Sequence, residues 1–373
     1  MRTTFSTSFS VFAGVVVGRS TRVRRDRLLL FVTVGLLVGP VGMCFSQAAK
    51  HETAIEAQAL APAEVGEKWG FIDKAGKMVI PEKFDDAYPF SEQVAAVKIG
   101  DDWGFIDRTG KVVISPRFQH VFSFREGLTP VRGDNDKLGF IDKTGNMVIP
   151  AQFDDALPFY EQLAPVQLDD GWGFIDKTGK LLIPAQFDAV LPFSGGLAAV
   201  QLGGDWGFID KTGKIVIQPQ FTSTGSFAEQ IARVKVGGFE GVPTSSKWAI
   251  IDTTGTLVSS AQFEDAMVCS EQLSSVKVGS KWGFIDKTGK IIVPAQFEGA
   301  GLFKEELAPA KIGGKWGFID KTGRMTIPPQ FEEANQFAES LAAVEISGKY
   351  GFIDRTGSIV IPARFEKVRQ FSK

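Results

Sequence analysis

Histidine and cysteine are almost missing from this chain, which has two of each in 373 residues. His51 and His120 are too few for a histidine metal cluster and supply no credible base for a nucleophile–histidine–acid triad. Cys44 lies in an N-terminal segment that reads as a leader. Cys269 is then the one cysteine remaining, so neither a disulfide framework nor a cysteine metal site can be assembled. Strong charge is missing as well. Lys and Arg number 41 against 43 Asp and Glu, and six Arg with one Asp fall in the first 48 residues, so the net of −2 becomes −7 beyond them. That balance lacks the basic footprint of a nucleic-acid binder. No glycine-rich loop joins a strand to a helix, so no phosphate cradle and no cofactor are expected.

Long apolar runs are scarce too: there is one, Leu28 to Phe45, preceded by an arginine-rich stretch and followed by Ser46-Gln47-Ala48. A basic region, an apolar core and a small-x-small exit describe a secretory signal. Residues 1–48 are expected to be cut off after Ala48, placing the protein in the periplasm, at the cell envelope or outside the cell. The run, 28–45, also reaches the lower limit of a membrane-spanning helix, roughly 17–25 residues, so an uncleaved anchor is the alternative. Residues 49–59, small and polar without a β pattern, read as a flexible spacer.

Glycine and phenylalanine are abundant instead, 41 and 32 residues, and they fall at fixed intervals. The string Lys281–Phe297, KWGFIDKTGKIIVPAQF, recurs lightly edited along the chain. Its reference positions are Trp69, Trp103, Leu138, Trp172, Trp206, Trp248, Trp282, Trp316 and Tyr350, spaced by 34 residues except for one step of 35 and one of 42. A fixed period of this size means a stacked array. The nine units occupy 60–371, and the extra residues lie at 237–247 (GGFEGVPTSSK).

Each unit reads as three short antiparallel strands. The first resembles Leu307–Ile312, the second is Trp-Gly-Phe-Ile-Asp, and Asp-Lys-Thr-Gly closes a hairpin onto the third, such as Lys290–Val293. Asp can accept backbone amides two residues on, and Gly four positions into the turn supplies positive φ. The proline that usually follows the third strand is expected to end it. Apolar runs such as Leu181-Leu182-Ile183 predict a third strand covered on both faces. Two further phenylalanines per unit, Phe297 and Phe303 for example, are expected to anchor the connecting loop. The fold class is therefore all-β, a tandem array of nine three-stranded units. An open superhelical stack is favoured because the first unit begins and the last ends at the same phase, with a closed propeller-like ring as the alternative.

The motif K-W-G-F-I-D-K-T-G-K-x-V-I-P-x-x-F resembles the WG-repeat (KWG-repeat) family of bacterial proteins over Leu60 to Phe371. Leu138 and Tyr350 replace the tryptophan in two units, and Ala249 the glycine in a third. The resemblance implies a repetitive all-β module, often exported or membrane-attached, and brings no catalytic residues with it.

Acid pairs such as Asp85-Asp86 and Asp154-Asp155 raise the question of hydrolysis, but sequence neighbours on a strand point apart, whereas glycosidases need two carboxylates facing across a cleft. The basic residue after each turn Asp (Lys287 and its equivalents) reads as a solvated row guarding a strand edge. The tryptophans read as core rather than as sugar platforms. The expectation is a non-catalytic, exported repeat scaffold that mediates protein interaction at the envelope. A glycan- or peptidoglycan-binding module is the alternative, and a hydrolase of envelope polymers the third reading. The candidate binding loop is the insertion, with Phe239 and Glu240, because insertions in arrays gather on one face. The membrane is touched only through the N-terminal segment, if it is retained.

Overall fold

The computed structural model describes residues 58–133, 136–236 and 247–373, apart from the side chains of 260 and 261. The leader, its cleavage point after Ala48, the spacer up to Ala57 and the insertion residues 237–246 lie outside the described residues. Strands and turns make up the described chain, and no helix among the described residues is long and apolar enough to cross a membrane.

The organising stretch folds around its turn as expected. Asp286 Oδ1 accepts the amides of Thr288 (2.8 Å) and Lys290 (3.1 Å), and Gly289 takes a φ of +81°, a region that costs a residue with a Cβ. The tryptophan strand Lys281–Asp286 pairs with the opening strand Leu273–Val278 in unbroken register. On its other side the register to the edge strand Ile291–Phe297 jumps, because Trp282 faces Phe297 while Phe284 faces Val293. Pro294, Ala295 and Gln296 are thus left opposite Gly283 alone, a bulge of three residues against one. A Cβ on Gly283 would lie 2.5 Å from the Val293 carbonyl oxygen, so glycine must follow tryptophan here. The proline does not end the strand. It sits in the bulge, where no ladder bond asks for its missing N–H, and the strand continues to Phe297.

The units are also not three-stranded. A fourth strand of two residues, Asp265–Ala266, pairs with the far side of the opening strand (Asp265↔Lys277, Ala266↔Val276). It comes from the end of the preceding repeat, between Phe263 and Cys269, the positions of the two loop phenylalanines. Seven of the nine sheets have such a strand, and single bridges, Val121↔Val131 and Ala334↔Val344, take its place in the third and ninth. Each blade is therefore completed by its predecessor.

The first blade is completed by the last repeat. Lys367–Val368 pairs with Ala61–Val65, and Leu60 and Ser372 exchange two backbone hydrogen bonds of 3.0 Å. Nine blades close into a propeller ring, which overturns the favoured open stack. Both ends share a phase only when the unit is cut at its phenylalanine, and the closing strand hides in a linker too short to show a pattern.

Apolar clusters lie between blades and run across the seam. Phe105 and Ile114 of the second blade pack with Val131 and Ile141 of the third; likewise Phe352, Ile361 and Phe365 of the ninth pack with Ala61, Ala63 and Ile72 of the first. The turn glycine belongs to this stacking. A Cβ on Gly110 would lie 2.8 Å from Ile80 of the preceding blade, and one on Gly76 2.8 Å from Ile361 across the seam. The second loop phenylalanine serves as an anchor, as expected: Phe303 meets Phe284 at 4.9 Å, and Phe371 meets Phe352 at the same distance; the first, Phe297, is instead the last residue of the edge strand, opposite Trp282. The third strand, however, is a sheet edge and is not covered on both faces. Leu181 and Leu182 are 39 % and 44 % exposed while Ile183 is fully buried.

Candidate functional site

Antiparallel strands put the turns of every blade at two ends, and at both ends carboxylates bridge one blade to the next. At the end of the Asp-Lys-Thr-Gly turns, the opening strand is entered through a two-residue turn whose central residues both take positive φ, such as Glu92 (+52°) and Gln93 (+76°). Glu92 accepts the amide of Gly127 in the third blade (3.0 Å) and pairs with Lys143 there (3.0 Å). Glu126, Glu161, Glu229 and Glu271 repeat this with the following blades' amides and with Lys177, Lys211, Lys287 and Lys321. The lysine row is thus an inter-blade row rather than a solvated edge. The glutamates went unnoticed in the sequence, although Phe-x-Glu recurs with the same period as the tryptophans.

At the opposite end the acid after the first loop phenylalanine does similar work. Asp85 accepts the amide of Gly100 (2.7 Å) and holds Lys68 (2.5 Å), while Glu264, Glu298 and Glu332 cap Gly279, Gly314 and Gly348. The Lys68 hydrogen bond, then the Gly100 amide, holds the Asp85 carboxyl below its ordinary range; the Lys247 bond does so first for Glu264, and the Gly314 amide for Glu298. Asp85 and Asp154 of the sequence's acid pairs are therefore structural bridges. Among the described residues, no group of three or more His, Cys, Asp or Glu could hold a metal ion.

Five of the seven tryptophans are covered or buried, while Trp172 and Trp206 are half-buried against the apolar clusters. Tyr88 lies on Trp103 (4.7 Å), Arg369 on Trp69 (4.9 Å), Arg233 on Trp248 (4.7 Å) and Lys311 on Trp316 (5.6 Å). Trp69, Trp103 and Trp282 are buried outright.

The insertion interrupts the sixth blade between Ile231–Val236 and Lys247–Asp252, which stay in register up to Val236↔Lys247. Ten residues stand where the seventh blade turns with two. They leave from the end of the ring where Glu264 holds Lys247 (2.5 Å). Phe239 and Glu240 belong to these ten and lie outside the described residues. The blade around them is altered as its sequence indicates. Ser259 accepts the amide of Ile250 (3.1 Å), and Ala249 is fully buried where other blades have glycine. Cys269, in the place of a loop phenylalanine, is buried 3.5 Å from Glu229, and its burial and that charge push the thiol up to about 12. Such a thiol is inert. Beside it the hydroxyl of Ser275 is buried without a partner.

A family model described as "WG containing repeat" matches nine times, at residues 69–101, 103–137, 139–172, 172–204, 206–238, 248–282, 282–316, 316–350 and 350–373. No curated protein matches the chain. Among solved structures, one described as a eukaryotic initiation factor is similar with a TM-score of 0.61 at 11 % identity, over 83 % of this chain and 98 % of that one; the likeness is one of fold. PorZ, a bacterial surface component of the type-IX secretion system of Porphyromonas gingivalis, matches with a TM-score of 0.32 at 10 % identity, over 73 % of this chain and 45 % of its own.

Proposed function

The chain belongs to the WG-repeat family, and from that premise we propose that it is a non-catalytic, exported scaffold that mediates protein interaction at the cell envelope through the insertion of its sixth blade. The observation that carries the reading is how completely the repeated residues are engaged with one another. Asp and Gly make turns, Phe and Trp fill the spaces between blades, and the carboxylate and lysine rows bridge neighbours. The insertion at 237–247 is what the repeat does not dictate, and in it Phe239, next to Glu240, is an aromatic of the kind enriched in contact patches. The occupied faces of Trp69, Trp103, Trp248 and Trp316 speak against the glycan-binding alternative, which needs an open aromatic platform. Export rests on the basic and apolar pattern of residues 1–48.

Shortening 237–247 by eight residues tests the reading. Partners retained by the intact protein from an envelope extract should be lost by the shortened one, with the melting temperature nearly unchanged. Equal capture by both proteins would remove the insertion as the site. Saturable binding to purified cell-wall polymer, competed by free sugar, would replace this proposal with the glycan reading.

A further inference from the structure

The bridge between the first and second blades is incomplete in a specific way. The position equivalent to Glu92 in the first blade is Lys373, whose ammonium turns instead to Glu339 of the ninth (3.1 Å). The cation position is nevertheless kept, as Arg108. Between the fifth and sixth blades, by contrast, both partners are lost together: Gly195 stands for the glutamate and Thr253 for the lysine.

Arg108 is 2 % exposed. Its guanidinium carbon lies over the Phe90 ring (4.7 Å) and Nη2 donates to the Gln58 carbonyl, but Nε and Nη1 are buried without partners. Burial pulls its pKa down, with Glu339 opposing at longer range, yet a guanidinium does not give up its proton. Nearby, the Ser372 hydroxyl is also buried and unpartnered, whereas Ser91, Ser194 and Ser270 each donate to a loop carbonyl. The amide of Gln93, whose counterparts Gly127, Gln162 and Gln272 donate to the preceding blade's glutamate, meets no acceptor among the described residues. An unpaired buried charge is far costlier than a paired one. At the joint where others hold a carboxylate, two buried guanidinium nitrogens and the amide of an exposed residue are thus left without an acceptor among the described residues.

We propose that the seam between the first and second blades is a carboxylate-binding slot, built by Arg108 and the Gln93 amide, that is filled by an acid other than the repeat's own glutamate. The inference is independent of the scaffold reading. The carboxylate comes from a separate molecule.

Acetate is the probe, titrated against chloride at constant ionic strength while the melting temperature is followed. In the wild-type protein it should raise the midpoint saturably, by about 2–4 °C at tenfold over its dissociation constant. Arg108→Gln should show only the smaller, unsaturable salt effect. Lys373→Glu, which restores the repeat's carboxylate, should raise the midpoint and abolish the response to acetate. Absence of an acetate-specific shift in the wild-type protein, or an equal shift in Arg108→Gln, overturns the proposal.

Discussion

Gly283 and Gly289 are six residues apart, and both are required for different reasons. Gly289 sits at positive φ, and a Cβ there would collide with the Val258 carbonyl of the preceding blade. Gly289→Val should cost about 2 kcal/mol or more in chemical denaturation. Lys287→Ala loses a half-exposed pair with Glu229 at 3.7 Å and should cost no more than about 0.5 kcal/mol. Similar values for the two would discredit the turn. Gly283 has ordinary backbone angles but no room, so Gly283→Ala should cost about 1–3 kcal/mol by overpacking. Ala249→Gly, at the same position of the sixth blade, should instead lose only the benefit of a buried methyl, about 1 kcal/mol. Unfolding curves in which Gly283→Ala is harmless would rule out the close approach. The first glycine's role was legible in the sequence, because Asp and Gly define a turn locally. The second's was not, since it depends on a cross-strand bulge that no neighbouring residue announces.

The inter-blade carboxylates are the element that titrates. For Glu229, burial works against the charge, but the amides of Gln272 and Glu271 outweigh it and the net shift is downward; Glu332 and Glu366 shift the same way through the Gly348 amide and the Lys349 bond. Folded values below the unfolded ones mean that these groups stabilise above the unfolded pKa, near 4.5 for glutamate, and lose that contribution as pH falls through the folded values. The melting temperature should therefore be flat from pH 8 to about 5 and fall below about 4.5. A maximum near pH 4 would contradict the bridges. Glu229→Ala, which strands two amides and Lys287, should cost about 1–3 kcal/mol. At this scale the sequence showed the lysines and the acids but not their pairing. Partners 35 to 58 residues apart in sequence meet only once the direction of stacking is known.

Across the whole molecule the nine joints are unequal. Between the fifth and sixth blades Gly195 and Thr222 replace both bridging acids, and Thr253 the lysine, next to the blade with a polar core and the insertion. Amide hydrogen exchange should be fastest there among the joints, and uniform protection around the ring would refute that ranking. The number of blades was legible from the period alone, whereas closure was not, since the decisive pairing joins Ala63 with Val368. Removing 366–373 should lower the melting temperature and enlarge the hydrodynamic radius, because it strips the first blade of a strand and of the Arg369 bonds to Asp86 and Ala87. An unchanged radius would mean that the ring holds without its latch. The same pairing sets a timetable. A ribosome delivers the first blade's opening strand some three hundred residues before the strand that completes it, at roughly 5–20 residues per second. For tens of seconds Ala61–Val65 offers a bare edge to any extended segment nearby. Nascent chains would thus be guarded at that edge, by a chaperone or by passage unfolded through a translocation pore, until the final residues arrive.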